Sequence, residues 1–162
     1  MGKLYLTGNG VPSDPQLAEK WLKKAAGQDD PFAEYLLGVL YSNRDYTAAP
    51  QWFQKAAEQG LPQAQRKLGL LYKEGRGVPE DKLKAYVWLL TSYEAGERSA
   101  APDLQELEAQ LGSSQVENAK ATARDYESKY SRRVLAAGCT GWDGEFDEIP
   151  TPPPPKIQRY CR

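Results

Sequence analysis

The chain has 162 residues, 40% hydrophobic and 27% charged, which is globular composition with length enough for one domain with a core. A net charge of −1 gives no strong pull toward nucleic acid or an anionic membrane, and no apolar run nears the roughly 20 residues of a membrane helix. Histidine is absent, which removes the commonest general base, metal ligand and pH switch; two cysteines without histidine are too few for a structural zinc site.

The first helical unit opens with Gly2, Leu4 and Tyr5, passes through the loop Gly8-Asn9-Gly10-Val11-Pro12-Ser13-Asp14, and continues into a helix carrying Ala18 and Trp21. Asp14 is placed to cap that helix, with Pro15 at its first position. A shift of 67 residues lays this unit on a later one: Gly2 on Gly69, Tyr5 on Tyr72, Gly8 and Gly10 on Gly75 and Gly77, Asp14 on Asp81, Trp21 on Trp88. Between them lies a shorter middle unit. Its first helix carries Ala33, Leu37, Leu40 and Tyr41 at a period near 3.6, and its second carries Ala49, Trp52, Phe53, Ala56 and Ala57. Its loop is trimmed to Ser42-Asn43-Arg44-Asp45. The tryptophans therefore recur at 31 and 36 residues. Small residues at Gly38, Gly69, Ala33 and Ala56 predict close helix approach, with each tryptophan filling the space between neighbouring pairs. Gly75-Arg76-Gly77 ends a helix and Asp81 caps the next.

In the third unit Leu90-Thr91-Ser92-Tyr93 stands where the middle unit has its Lys-Ala-Ala run, so this helix is expected to face a different neighbour. That neighbour is a pair of capping helices. One spans 102–111 with Leu104, Leu107 and Leu111; the other spans 115–130 with Val116, Ala119, Ala123 and Tyr126; Gly112-Ser113-Ser114 separates them. From Ser131 the composition changes to an extended, Pro-rich tail with an acidic stretch over 143–148 and the run Pro152 to Pro155. The tail reads as a strap running back over the helices, or as a ligand for an aromatic groove on another protein. Cys139 and Cys161 bracket it. Paired, they would close a loop of about 23 residues, worth on the order of 3 kcal/mol in the chain-entropy model, and would mark an oxidising compartment; the alternative is two thiols in a reducing cytosol. The expected organisation is repeats over 1–100, a capping hairpin over 101–130 and the tail over 131–162.

Leu68 to Tyr72, Gly75 to Val78, Asp81, Ala85 to Trp88 and Lys55 to Gly60 together resemble the Sel1-like repeat. The resemblance covers about residues 2–100. It implies an all-α fold, a right-handed α-solenoid of helix pairs closed by the C-terminal helices, acting by binding protein. It also implies a first unit that lacks the front of its first helix, since Gly2 sits at the Gly69 position. Either the chain starts with a half-repeat or an upstream targeting segment has been removed.

No catalytic or metal site emerges from the residues. Asp29-Asp30, Glu106 with Glu108, and the stretch 143–148 supply carboxylates, but none is set among apolar neighbours that would separate their pKa values. The serines have no histidine to activate them, and the glycine loops lack a Gly-Lys-Ser/Thr ending and do not follow a strand. No cofactor is expected. Cysteine-rich relatives linked to β-lactam binding carry disulfides in their repeats, which this chain lacks.

A partner protein is expected on the first-helix face left over by packing: Tyr35, Val39 and Ser42 in the middle unit, Arg66, Leu70 and Lys73 in the third, Lys3 and Leu6 in the first. Val39 and Leu70 equally fit contacts between repeats. Short Sel1-like proteins of this kind include immunity proteins that neutralise lipase or phospholipase effectors of type VI secretion, so the resemblance implies a cognate toxin as partner and a periplasmic location. The alternatives are an adaptor in envelope signalling or complex assembly, and a cytoplasmic location. The composition leaves oligomeric state open.

Overall fold

Aspartate and proline start the helices of this chain. In a computed structural model describing residues 2–8 and 12–140, with the backbone alone for Leu4 and 131–140, the Asp14 carboxylate accepts from the N–H groups of Gln16 and Leu17, and Pro15 opens α2 (Pro15–Ala26). Asp30 does the same for α3 (Pro31–Ser42), accepting from Phe32 and Ala33. Asp81 caps α6 (Lys82–Glu94) through Lys84 N–H. Each such cap contributes about 1 kcal/mol. The Asp14 and Asp81 N–H groups also close their loops, donating to the carbonyls of Tyr5 and Tyr72 at 2.9 Å each. The remaining helices are α1 (Gly2–Thr7), α4 (Ala49–Glu58), α5 (Pro62–Glu74), α7 (Ala101–Gln110), which follows a short 3₁₀ turn over Arg98–Ala100, and α8 (Ser113–Thr140). The described residues are all-helical apart from their connections, and successive pairs stack as a solenoid.

Within each pair a glycine brings the two helices together. A Cβ added at Gly38 would lie 2.6 Å from the Phe53 ring, and one at Gly69 or Gly2 would lie 2.7 Å from Leu89 or Leu22. The tryptophan just before each of those residues bridges to the preceding pair. Trp52 packs on the cluster of Leu22, Ala26 and Leu37, and Trp88 joins that of Ala49, Phe53, Ala56 and Leu68. Trp21 departs from the expected filling role: it is 40% exposed, with no preceding pair among the described residues.

The loops stack as well. α5 ends at Gly75, φ +65°, and the chain turns again at Gly77, φ +72°. A Cβ on Gly77 would stand 2.0 Å from the Tyr46 carbonyl oxygen of the middle unit, so backbone meets backbone here. Arg76 lies over the Tyr46 ring at 5.6 Å and reaches its hydroxyl.

The divergent end of α6 does meet the cap: Leu90 and Tyr93 pack against the cluster that holds Leu104, Leu107 and Val116. Thr91 and Ser92 are buried, with Ser92 Oγ donating to the Pro62 carbonyl at 2.7 Å and Thr91 Oγ1 to that of Val87. Val116, Ala119 and Ala123 of α8 close the core around Tyr86, Leu89, Leu104 and Leu107. Two boundaries differ from the sequence expectation. Ser113 and Ser114 form the first turn of α8, because the Gly112 carbonyl accepts from Val116 N–H while Gln115 reaches back to Gly112 N–H. The helix expected to stop at 130 continues to Thr140, since Arg132, Arg133, Leu135, Ala136 and Ala137 favour helix and a single Gly138 costs only about 1 kcal/mol. Cys139 therefore sits in the last helical turn, not in an extended tail. Cys161, its pairing with Cys139, and the run Pro152 to Pro155 lie outside the described residues.

Gly69→Ala should cost about 1–3 kcal/mol, because Leu89 and the Ala85 carbonyl must yield. Gly27→Ala, at a right-handed position (φ −68°) with no atom nearer than 3.4 Å, should be neutral or stabilising by up to about 1 kcal/mol. Urea unfolding midpoints of the two variants separate these outcomes.

Candidate protein-interaction surface

The first helices α3 and α5 carry the residues expected to meet a partner. On α3 the Tyr35 ring is half-buried against Phe53, centroids 5.8 Å apart, and Val39 packs on the same cluster. Burial pushes the Tyr35 hydroxyl above its ordinary pKa, with Glu97 adding to the rise and Arg66 opposing it. The Ser42 hydroxyl donates to the Gly38 carbonyl at 2.8 Å. On α5 the residues turn toward α7. Lys73 Nζ lies 2.8 Å from Asp103 and 2.5 Å from Glu106, and Arg66 lies 3.8 Å from Asp103. Leu70 packs against the cap core. The basic charge expected on this face is thus neutralised within the chain, and what α3 leaves open is chiefly aromatic and aliphatic.

Phe32 belongs to that open strip and is missing from the sequence reading. It is 61% exposed, the most exposed large hydrophobic side chain among the described residues. It stands three residues before Tyr35, so the spacing Phe32, Tyr35, Val39, Ser42 runs along one helical face. That spacing was the available signal. Capping by Asp30 fixes where the helix starts and holds Phe32 in the first turn.

Three of the carboxylates considered for chemistry are otherwise occupied, and the acidic stretch over 143–148 lies outside the described residues. Asp30 caps α3, Glu106 pairs with Lys73, and Glu108 accepts from the buried Tyr86 hydroxyl at 2.5 Å. Burial and Glu108 push the Tyr86 hydroxyl well above its usual range. A carboxylate set among buried neighbours does exist, at a position the sequence reading passed over. Glu34 is 3% exposed and accepts from Gln59 Nε2 at 2.7 Å. Burial raises its pKa above the ordinary value of 4.5, Asp29 and Asp30 add to the rise, and the Gln59 hydrogen bond and Lys55 oppose it. It lines a shallow cleft of about 430 Å³ with Asp29, Lys55 and Glu58. The equivalent residue one unit on is Gln65, whose amide donates to the Ala57 carbonyl at 3.2 Å. Glu34 thus occupies a packing position of the repeat. Among the described residues no group of three or more potential metal ligands forms, and no helix is long and apolar enough to cross a membrane.

The Sel1 repeat family matches residues 1–30, 31–61 and 62–97, three consecutive units and more than half of the chain. The chain belongs to the Sel1 repeat family. Its fold is similar to that of a Sel1 repeat protein from Oxalobacter formigenes, with 34% identity and a TM-score of 0.57 over 65% of this chain and 83% of that one. A second similar structure is c5321, a protective antigen present in uropathogenic Escherichia coli strains with the same repeat fold; at 23% identity and TM-score 0.53 it is a likeness of fold alone, and the match spans 94% of this chain and 41% of that one. None of the curated proteins matches the chain. Sel1 repeats generally act as scaffolds for protein–protein interaction, so this Sel1 repeat protein has protein partners as its expected ligands.

Glu34→Gln tests the packing role. A carboxyl whose folded pKa is raised contributes its full stability below the unfolded value near 4.5 and loses it as pH rises through the higher folded value. The amide has nothing to lose, so the variant should gain on the order of 1 kcal/mol at pH 7 over the parent. Its stability should also vary less between pH 4 and 7, read by thermal unfolding across that range.

Proposed function

We propose that this protein acts without catalysis, binding a partner protein on the α3–α5 face, and that the partner is an antibacterial toxin it neutralises in the periplasm. One observation carries the choice of surface: Phe32, 61% exposed, continues the line of Tyr35 and Val39 along α3. An exposed aromatic beside a half-buried tyrosine is the kind of anchor that dominates binding energy at protein interfaces. The toxin as partner is supported by the resemblance of short Sel1 repeat proteins to immunity proteins of type VI secretion phospholipase effectors. Neutralisation needs only tight, specific contact, which suits a chain without histidine.

Phe32→Glu, at an exposed position, should leave folding intact and weaken capture of a toxin encoded beside this gene by tenfold or more, about 1.4 kcal/mol. It should also abolish protection of a cell that makes the toxin in its periplasm. Failure of the parent protein to protect from that compartment rejects the toxin reading; capture of a host complex through the same face marks an adaptor instead.

On this reading Cys139 and Cys161 pair in the oxidising periplasm. Neither thiol should then react with a maleimide before reduction, and both should react after it. Two reactive thiols in protein taken from the periplasm would reject the pairing.

A further inference from the structure

A groove of about 520 Å³ runs between α4 and α8 across α6. Its origin lies in a break of the repeat pattern. In the first two pairs a lysine three residues after the tryptophan lies over its ring: Lys24 at 5.7 Å from Trp21, Lys55 at 4.7 Å from Trp52. After Trp88 that position is the buried Thr91, and two tyrosines of α8 cover the ring instead. Tyr126 is tilted on Trp88 at 5.0 Å, Tyr130 stacks on it at 5.9 Å, and the two tyrosines meet edge-on at 5.4 Å. Trp88 and Tyr130, each 6% exposed, form a floor; Tyr126 and Tyr72 are more open, and Leu83 stands at the rim, 38% exposed.

Aromatic-lined grooves recognise proline-rich strands, because the polyproline II conformation is pre-formed and presents flat rings with no internal hydrogen bonds to break. This chain carries four consecutive prolines, Pro152 to Pro155, downstream of the same helix that supplies Tyr126 and Tyr130. From Tyr130 the helix runs ten residues to Thr140, about 15 Å. The twelve residues from 141 to Pro152 can span up to about 40 Å, ample for the return. A tether this short gives an effective concentration in the millimolar range, so even a weak contact would be occupied.

We propose that Pro152 to Pro155 of this chain seat in the Leu83–Trp88–Tyr126 groove, strapping α8 onto α4 and α6. The test uses the full chain. Nuclear Overhauser contacts are expected from proline δ protons to the Tyr126 ring and the Leu83 methyls. Replacing all four prolines by serine should erase them and shift the Trp88 and Tyr126 side-chain resonances, leaving those of Trp21 and Trp52 in place. Amide exchange over Val116 to Tyr130 should quicken by roughly tenfold. Leu83→Glu, a rim change that keeps the core, should erase the same contacts with the helical circular dichroism unchanged. Unmoved Trp88 and Tyr126 resonances in the four-serine chain would overturn the proposal. So would contacts seen only between differently labelled copies in a mixed sample, which would make the occupant a second molecule.

Discussion

At one point in three successive helix pairs, a glycine of the first helix lies against the side chain that follows the tryptophan of the second: Gly2 on Leu22, Gly38 on Phe53, Gly69 on Leu89. No side chain could intervene there, so the two backbones are held at a fixed short distance. The tryptophan is then turned to the other side of its helix, where Trp52 and Trp88 reach the pair before. One small residue thus sets both the packing within a pair and the contact between pairs. The cap departs from this device. Ala100 precedes α7 at the position of Ala33 and Ala64, but α7 is tied to α5 by Asp103 and Glu106 rather than by a glycine contact.

That tie decides what the first-helix face can offer. Arg66 and Lys73 meet carboxylates of α7, and Leu70 meets the cap core, so the third unit turns inward. The middle unit keeps its aromatic strip free. A partner would therefore meet a short apolar strip on α3 bordered by neutralised charge, a surface suited to shape recognition more than to electrostatic steering.

Much of this was legible in the residues. Tryptophan, glycine and tyrosine recur because packing needs them, so periodicity exposed the pairs, and Asp14 and Asp81 announced their helix starts. Besides Phe32, three things escaped. The end of α8 did, because a lone glycine and a change of composition do not stop a helix that has good formers on both sides. The role of Arg66 and Lys73 did, because their partners lie some thirty residues on, in a helix whose orientation only the fold supplies. Glu34 did as well: its neighbours Ala33 and Leu37 marked a buried stripe, but its partner Gln59 arrives from outside α3.

The contact of Gly77 with the Tyr46 carbonyl has a consequence for how such chains can vary. Loops of adjacent units share one space, so their lengths are not independent. The connection over 43–48 lies against the one over 75–81 and is only one residue shorter, so the middle loop is not the trimmed one its sequence suggests; lengthening it would push backbone into Gly77. The uneven intervals of 31 and 36 residues between tryptophans arise mainly in α4 and not in the loop, since Trp52 stands three residues after the start of its helix whereas Trp21 and Trp88 stand six after theirs.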